Sequence, residues 1–378
     1  MQAFSFATTP RLLVDRGGAA RLGDEARRLG ASRAFLVSDA GLVRAGVVEP
    51  AVASLRAAGL EVTVYSDVQA DPPEAVVLAA AKAARDAGAD LVIGLGGGSS
   101  LDTAKLVALL AGGCEALDAI YGIDLAGGPR LKLILVPTTA GTGSEVTPIS
   151  IVTTPSHEKK GVVTPLLYPD LALLDAELTL GLPPAVTAMT GVDAMVHAIE
   201  AFTGRFKKNP ISDAFALDAL KRLYLHVDRA VENGRDIEAR EQMLLGSCMA
   251  GIAFANSPVG AVHALAYPLG GHHHLPHGLS NSLVLAPVLR FNLEPARVHY
   301  AELGRAVLGP SAAAEDFVAA IAALVARMPY AQTLRDAGVK ASDLPLLADD
   351  ALKVQRLLIN NPREVQLADA LSLYREAF

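Results

Sequence analysis

The sequence predicts an α/β domain built on a parallel sheet, followed by an all-helical domain. In the first half, short apolar runs rich in β-branched residues alternate with Ala/Leu/Arg-rich stretches of helical period. This alternation is typical of a parallel sheet covered by helices. After residues 180–191 the β-type runs fade, and helical periodicity continues to Phe378. We therefore place the boundary at Pro183–Pro184, which gives domains 1–182 and 183–378.

The elements of the first domain follow from run length and from the turn residues that close each run. The predicted strands are buried-type runs, and the predicted helices each end at a glycine, as helices often do. In the second domain, helix breaks are predicted near residues 256–258, 268–276 and 342–345. The predicted strands are 34–39, 61–67, 90–98 and 131–137, and the predicted helices are 50–59 and 72–88.

Composition excludes several classes of protein. The 378 residues are 51% hydrophobic and carry a net charge of −7, which favours folded domains over disorder. Without a basic stripe, nucleic acid and anionic membranes are not expected as partners. The sequence shows neither a secretion signal at its start nor an apolar run of membrane-spanning length. Cys114 and Cys248 lack CxxC spacing, so we expect buried thiols and a cytoplasmic protein.

A glycine-rich turn lies in "DLVIGLGGGSSLDTAK" (90–105), between a strand and a helix start. Gly96, Gly97 and Gly98 would let a ligand approach the backbone closely. Ser99 and Asp102 predict a capping box, and the free N–H groups of such a helix start favour a phosphate. The alternative is a turn that only packs strand against helix. The motif departs from GxGxxG at Ser99, and no GK[ST] follows, which excludes a P-loop.

Two further features favour a dinucleotide at this turn. Asp39 ends an earlier strand, where a carboxylate can accept a hydrogen bond from a ribose 2′-OH and repel a 2′-phosphate. It therefore favours NAD over NADP, although a helix cap explains an aspartate there equally well. The loop "PTTAGTGSEVT" (137–147) follows another strand and is dense in hydroxyls and small residues.

A metal site is predicted from one aspartate and three histidines. Asp193 and His197 are spaced i, i+4 on an apolar helix, so both face one side and the buried carboxylate needs a partner. His263 lies on a second apolar helix. His277 precedes Gly278, where a chain reversal could return it towards His263. This ligand set permits Fe²⁺, Zn²⁺, Mn²⁺, Co²⁺ or Ni²⁺ and leaves positions open for substrate.

Three more histidines stand between the last two candidate ligands, in "HALAYPLGGHHHLPH" (263–277). His272, His273 and His274 cannot all join the four ligands around one ion. Two interpretations stay open for them. They line the mouth of a cleft as polar residues, or His273 or His274 carries protons to the reacting group.

Six segments together resemble the iron-containing (group III) alcohol dehydrogenase family, which has the dehydroquinate synthase-like fold. The resemblance runs nearly end to end through "GLGGGSSLDTAK", "PTTAGTGSE", "GVDAMVHAIEAF", "HALAYPLGG", "PHGLSNSLVLAPVLRFN" and "NNPREVQ". It implies a Rossmann-like NAD domain, a helical metal domain, a cleft between them and a homodimer. The metal ligands it implies, for Fe²⁺, are Asp193, His197, His263 and His277. The NAD contacts it implies are Asp39, Gly97, Gly98, Ser99, Asp102, Thr138, Thr139, Ser144, Thr147 and Lys160.

Two residues depart from the family pattern. Tyr267 stands where many members have a histidine near the nicotinamide, and a phenol can still donate a proton. The candidate catalytic residues are therefore Tyr267, His273 and His274. Asp71 stands where an asparagine is common, and its extra negative charge would weaken pyrophosphate binding unless it is paired or turned away.

These residues predict a metal-dependent oxidoreductase that interconverts a small alcohol and its aldehyde or ketone by hydride transfer to NAD. Glycerol dehydrogenase, a maleylacetate-type reductase and dehydroquinate synthase, a non-redox NAD-using lyase, are the alternatives within the fold. A metal-dependent phosphohydrolase of the HD type would need an adjacent His-Asp pair, which the sequence lacks. A non-enzymatic metal-binding protein would leave the glycine-rich turn unexplained. Phe254, within 246–260, is expected to line an apolar substrate pocket or only to pack helices.

Overall fold

The computed structural model describes residues 3–156 and 158–378, and they form two compact units. The sheet unit comprises Thr8–Thr139 and Gly143–Gly181. The helical unit comprises Leu182–Phe378 together with Ala140–Thr142 and the described residues up to Ala7. The predicted fold class, an α/β part followed by an all-helical part, is confirmed. The domain boundary after residue 182 stays a prediction, because the helical unit also takes in two earlier segments.

The sheet unit contains nine strands and five α-helices within the described residues. Five of these strands were not predicted from the sequence: β1, β5, β7, β8 and β9. The strands are β1 (Leu12–Val14), β2 (Arg33–Val37), β3 (Glu61–Tyr65), β4 (Leu91–Gly96), β5 (Gly122–Ile123), β6 (Lys132–Pro137), β7 (Ile149–Thr153), β8 (Lys159–Val163) and β9 (Leu171–Leu174). The helices are α1 (Leu22–Arg28), α2 (Ala40–Arg44), α3 (Glu49–Ala57), α4 (Glu74–Asp86) and α5 (Gly98–Gly112).

The main sheet is six-stranded and parallel, with the order β1-β9-β6-β4-β2-β3. Its central strand β4 is buried along its whole length. Val92 belongs to one apolar core and Leu91 and Ile93 to another, because alternate side chains leave a strand on opposite faces. Helices cover both faces, which is why this strand reads as a continuous apolar run. The strands β5, β8 and β7 form a separate small sheet.

Helix α5 packs unusually close to the central strand at Gly94. A Cβ atom at this position would lie 2.7 Å from the Cβ of Ala104 and 2.7 Å from a methyl carbon of Leu135. Both distances are well below van der Waals contact, so only glycine allows this packing. Gly94 is therefore a requirement of the packing between β4 and α5, independent of any ligand.

The predicted capping box at the start of α5 is wrong. The N-cap position is Gly97, and no side chain caps the helix. Asp102 accepts hydrogen bonds from Ser144 Oγ (2.5 Å) and from the Ile151 backbone N–H (3.0 Å), so its carboxylate is engaged across the fold. Asp102 therefore bonds residues distant in sequence, Ser144 and Ile151, and not the Ser99 region that the spacing predicted.

The helical unit is built from nine α-helices within the described residues. The break predicted near 256–258 lies between α8 and α9. The break predicted at 268–276 is confined to 274–276, because α9 continues through Pro268. The helices are α6 (Pro184–Thr203), α7 (Pro210–Glu232), α8 (Ile237–Asn256), α9 (Ala261–His273), α10 (His277–Leu308), α11 (Ala314–Ala326), α12 (Leu344–Lys353), α13 (Gln355–Leu358) and α14 (Leu367–Ala377).

Two other sequence expectations can be compared with these helices. Cys248 is buried in α8, whereas Cys114 is exposed, so the expectation of a buried thiol was wrong for Cys114. Among the described residues, no single helix is both long and apolar enough to cross a bilayer. The pair α8 and α9 passes that test only when taken together, with a bend of 104° between them.

Replacing Gly94 with alanine is expected to destabilise the protein by about 1–3 kcal/mol, because the new methyl group overpacks the contact with α5. Gly97→Ala is the matched control, since its φ is −75° and its Cβ would lie 3.7 Å from the nearest atoms, on Thr139. We expect this control to stay within about 0.5 kcal/mol of wild type. Urea-denaturation midpoints measure both changes, and equal midpoints for the two variants would contradict the packing argument.

Candidate active site

Four side chains predicted as metal ligands lie together in the helical unit. Asp193 and His197 lie one turn apart on α6, His263 lies on α9, and His277 is the first residue of α10. One donor atom from each lies within 4.8 Å of the others. The first three residues are buried, and the His277 side chain is 37% exposed. The cluster is therefore buried at Asp193, His197 and His263, and solvent or a small molecule can reach it at His277.

Local sequence explains how these helices meet. Helix α6 is buried on all sides from Gly191 to Thr203, so the Asp193 carboxylate has no route to solvent along the helix. His274 adopts a left-handed conformation (φ 54°) that ends α9 and starts the reversal into α10. A Cβ at Gly278 would lie 2.4 Å from the carbonyl oxygen of Met189, so only glycine lets α10 begin this close to α6.

The protonation of the cluster follows from burial and from mutual charge. Burial alone would raise the pKa of Asp193, but the imidazoles of His197, His277 and His263 and the Asn281 amide outweigh it and lower that pKa. Burial lowers the pKa of His197 to about 3, so its imidazole is neutral near pH 7. An ionised carboxylate beside a neutral imidazole is the state that binds a metal ion.

The negative charge in this region has no lysine or arginine partner among the described residues. The carboxylate of Glu200, which is 7% exposed, lies beside the cluster on α6. In the part of the chain that the structure describes, no lysine or arginine nitrogen lies within 4.0 Å of the carboxylate of Asp193 or of Glu200. Asn281 Oδ1 is buried without a hydrogen-bond partner among the described residues. A divalent cation fits this site, because it would balance the buried carboxylates.

Two residues at the cluster were not found by sequence reasoning. Glu200 Oε2 lies 2.7 Å from His263 Nδ1. The Asn281 amide donates to Asp193 Oδ1 at 2.6 Å and lies 3.3 Å and 3.2 Å from Nε2 of His263 and His277. Spacing could have indicated both, since Glu200 follows His197 by three residues and Asn281 follows His277 by four on the same helices.

Aromatic residues surround the candidate ligands. Phe254, expected either at a substrate pocket or only in helix packing, stacks on the His197 ring with a centroid distance of 4.3 Å. The Tyr267 ring lies 6.2 Å from that of His277. The guanidinium carbon of Arg356 lies 5.8 Å from the Tyr267 ring centroid. Tyr267 is therefore close to the most exposed of the four candidate ligands.

The three loop histidines have other surroundings. His272 Nε2 lies 2.5 Å from a carboxylate oxygen of Asp350, on α12. His273 Nε2 lies 3.6 Å from Asp343, just before that helix. His274 is exposed, and its backbone N–H donates to the Gly270 carbonyl at the end of α9. Two of the three imidazoles are thus held at the start and the face of α12.

The predicted cofactor residues lie in the sheet unit. Strands β2 and β4 are neighbours in the sheet. From β2 the chain adds β3 on one side, and it then returns to add β4 and β6 on the other side, so the strand order reverses between β2 and β4. Ligands of open parallel sheets bind at the carboxyl end of the strands at this switch point. Asp39 follows β2 and the glycine-rich turn follows β4. Asp39 also caps α2, accepting from the backbone N–H groups of Gly41 and Leu42.

The glycine-rich turn has one packed and one open position. A Cβ at Gly96 would lie 2.7 Å from the Cβ of Ser100, so strand–helix packing alone requires this glycine. At Gly97, by contrast, the nearest atoms to an added Cβ are those of Thr139 at 3.7 Å. The Thr138 backbone N–H donates to the Gly96 carbonyl at 2.9 Å, which holds the second loop beside the turn. Gly98 and Ser99 are half-buried in the first turn of α5.

A buried lysine that sequence reasoning missed joins α5 to the loop that follows β6. Lys105 is fully buried, and its Nζ contacts Thr147 Oγ1 (3.1 Å), the Ile149 carbonyl (2.8 Å) and Asp102 Oδ1 (3.6 Å). Burial lowers the pKa of this lysine, while the charges of Asp102 and Glu145 oppose that shift. Together with the bond from Ser144 to Asp102, these contacts fix residues 144–151 against the start of α5.

The structure also places the two remaining residues of interest. The Asp71 carboxylate, which departs from the family pattern, lies 2.5 Å from Lys159 Nζ, so its charge is paired. Lys160 is exposed on β8, and its Nζ lies 5.6 Å from the Tyr121 ring centroid.

Comparisons with known proteins agree with this geometry. Residues 9–176 match the family model of iron-containing alcohol dehydrogenase, and residues 187–378 match that of the Fe-containing alcohol dehydrogenase family, C-terminal. The chain is 38% identical to the sulfoacetaldehyde reductase of Bilophila wadsworthia (strain 3_1_6), over 100% of this chain and 99% of that protein.

Solved structures give the same result. A 1,3-propanediol oxidoreductase superposes with a TM-score of 0.96 at 32% identity, covering 100% of both chains. A sulfoacetaldehyde reductase from Bifidobacterium kashiwanohense in complex with NAD+ superposes with a TM-score of 0.91 at 28% identity, covering 100% of this chain and 99% of that one. These matches support an NAD-linked alcohol–carbonyl oxidoreductase and not the alternatives within the fold. The chain belongs to the iron-containing alcohol dehydrogenase family.

Proposed function

We propose that Asp193, His197, His263 and His277 hold one divalent metal ion, Fe²⁺, and that the protein interconverts a small alcohol and its aldehyde with NAD(H). The observation that carries this proposal is the meeting of four donor atoms within 4.8 Å in a buried region whose carboxylates have histidine neighbours but no lysine or arginine partner among the described residues. A bound divalent ion supplies Lewis-acid polarisation of the substrate oxygen, and NAD accepts or returns the hydride. The donor set also accommodates Zn²⁺ and other first-row ions.

The protein's own residues supply binding, orientation and a proton. The Phe254 ring, stacked on His197, would form an apolar wall beside the reacting carbon. We propose Tyr267 as the proton donor to the carbonyl oxygen, because its ring lies 6.2 Å from that of the exposed ligand His277. His273 and His274 are the other candidates, but the first lies beside a carboxylate near α12 and the second caps α9.

The proposed NAD site lies at the switch point of the main sheet. The open position at Gly97 leaves room for a pyrophosphate, whose charge suits the start of α5. Asp39 would accept a hydrogen bond from the ribose. The remaining proposed contacts are Gly98, Ser99, Asp102, Thr138, Thr139, Ser144, Thr147 and Lys160. A homodimer and a cytoplasmic location stay predictions from the sequence.

We also propose that the preferred substrates are short aldehydes with an anionic group at the far end. The Arg356 guanidinium lies over Tyr267 and is exposed, and no carboxylate of the described residues lies within 4.0 Å of it. The neighbouring cation Lys353, by contrast, is paired with Asp349 and Asp350. An unpaired guanidinium near the proposed site can bind a sulfonate or carboxylate through charge-assisted hydrogen bonds. The similarity to sulfoacetaldehyde reductases supports this choice.

His263→Ala is expected to weaken metal binding by at least about 100-fold, because it removes a ligand and leaves Glu200 Oε2 without its hydrogen-bond partner. NADH binding should persist, since the proposed NAD residues belong to the other unit. His226→Ala is the matched control, because His226 lies on α7 and bonds only a backbone carbonyl in its own helix. Equilibrium dialysis with Co²⁺ and NADH fluorescence titration measure the two affinities. One equivalent of cobalt bound by His263→Ala with wild-type affinity would refute the ligand assignment.

Asp39→Asn is expected to raise the ratio of NADPH to NADH efficiency by about tenfold, or roughly 1.4 kcal/mol. The substitution removes the charge that would repel a 2′-phosphate, while asparagine remains a good N-cap for α2. Asp39→Ala serves as the comparison, because it removes both the charge and the cap. The measurement is kcat/KM for both cofactors, and an unchanged ratio in Asp39→Asn would exclude Asp39 from the ribose site.

Arg356→Ala is expected to lower kcat/KM for sulfoacetaldehyde by about tenfold or more, because a charge-assisted hydrogen bond contributes roughly 1.5–3 kcal/mol. With propionaldehyde, which has no anionic group, the change should stay within about twofold. Lys353→Ala is the control for loss of a nearby positive charge. A parallel loss on both aldehydes would mean that Arg356 supports the fold and does not select the substrate.

A further inference from the structure

Glu200 contacts the candidate ligand His263 on the side of the ring that faces away from the cluster. Its side chain points from α6 towards the start of α9. Glu200 Oε1 accepts a hydrogen bond from the Val262 backbone N–H at 2.7 Å. Glu200 Oε2 lies 2.7 Å from His263 Nδ1. Both carboxylate oxygens are therefore used on two consecutive residues of α9.

This arrangement determines which nitrogen of His263 carries the proton. A carboxylate only accepts hydrogen bonds, so His263 Nδ1 is the donor in this contact and carries a proton. This leaves Nε2 as the nitrogen that faces the cluster, 4.0 Å from Asp193 Oδ1. The histidine is thus held in the form that can bind a cation.

The surroundings of Glu200 keep it in place. It borders a cavity of about 10 Å³ that is also lined by Tyr300, Asn292 and Asn361, roughly the volume that holds one water molecule. The two asparagine amides bond each other reciprocally at 2.8 Å, so this wall is itself ordered. Glu200 is only 7% exposed, so its two hydrogen bonds to α9 are shielded from solvent.

We propose that Glu200 is a positioning residue that sets the tautomer and the ring orientation of His263 and supplies a second buried negative charge to the metal site. This inference rests on the proposed metal-binding function. A carboxylate, an imidazole and a metal in series is a general way to raise ligand basicity, and loss of such a partner typically costs 10–100-fold in metal affinity. The charge count agrees, since Asp193 and Glu200 together balance a divalent ion.

Glu200→Gln gives a specific expectation. The Val262 N–H can only donate, so the glutamine oxygen should turn towards it and the amide NH₂ towards His263 Nδ1. That NH₂ group also donates, so the imidazole proton should move to Nε2, the atom that faces the cluster. The substitution is nearly isosteric, yet it should invert the tautomer and block the metal-binding nitrogen.

The experiment compares wild type, Glu200→Gln and Thr203→Ala. Thr203 is the matched control, because it is buried on the same helix, lines the same cavity, and bonds only the Ile199 carbonyl. In metal-free protein, ¹⁵N NMR of the histidines should show the His263 proton on Nδ1 in wild type and Thr203→Ala and on Nε2 in Glu200→Gln. The Co²⁺ dissociation constant, measured by chelator competition, should rise about 10–100-fold in Glu200→Gln only.

The outcomes separate this inference from the proposed function. Wild type that binds no cobalt would overturn the metal site itself. If wild type binds one equivalent of cobalt, and Glu200→Gln keeps the wild-type His263 tautomer and Co²⁺ affinity, only the role of Glu200 is overturned. An equal loss of Co²⁺ affinity in Thr203→Ala would overturn that role as well. If Glu200→Gln does not fold, Glu200→Asp carries the test, since it keeps the charge but withdraws it by one methylene from His263. Unchanged cobalt affinity in Glu200→Asp would then overturn the proposal.

Discussion

The helical unit is organised around a carboxylate that its own sequence buries. Asp193 lies on a helix that is buried on every side around it, and a buried charge is strongly unfavourable unless neighbouring groups compensate it. Compensation comes from three imidazoles and the Asn281 amide, brought by α6, α9 and α10. The three helices must meet at this point, because otherwise the buried charge of Asp193 would destabilise the fold. The same requirement brings the four candidate metal ligands together.

The sheet unit meets a similar constraint with a cation. Lys105 is fully buried, and two acceptors on the loop after β6 and the carboxylate of Asp102 surround its ammonium group. The same carboxylate bonds Ser144 and the backbone of Ile151. A small polar network therefore ties the start of α5 to that loop. In both units, a few buried charged groups determine the arrangement of otherwise apolar elements, because unpaired charges are costly and apolar contacts are not directional.

Membership of the family does not determine the substrate, although the chain matches its relatives over the whole length. A 1,3-propanediol oxidoreductase and sulfoacetaldehyde reductases share this fold closely, so the fold alone does not select the substrate. Selectivity is expected from side chains around the proposed metal site rather than from the ligands themselves. Phe254 stacks on the candidate ligand His197, Tyr267 lies beside His277, and Arg356 lies over Tyr267. These three side chains are where we expect the substrate preference of this protein to be determined.

The sequence alone determined features that depend on neighbours within about four residues: the alternation of strands and helices, the common face of Asp193 and His197, and the glycine-rich turn after β4. Tertiary structure decided the pairings that join distant segments. Asp102 bonds Ser144 and Ile151 instead of capping its own helix. Glu200 bonds His263, 63 positions away, and His272 bonds Asp350 instead of lying only in a polar loop. Backbone periodicity follows from local sterics and burial, whereas a side chain's partner depends on which helix and strand ends the fold brings within 3 Å.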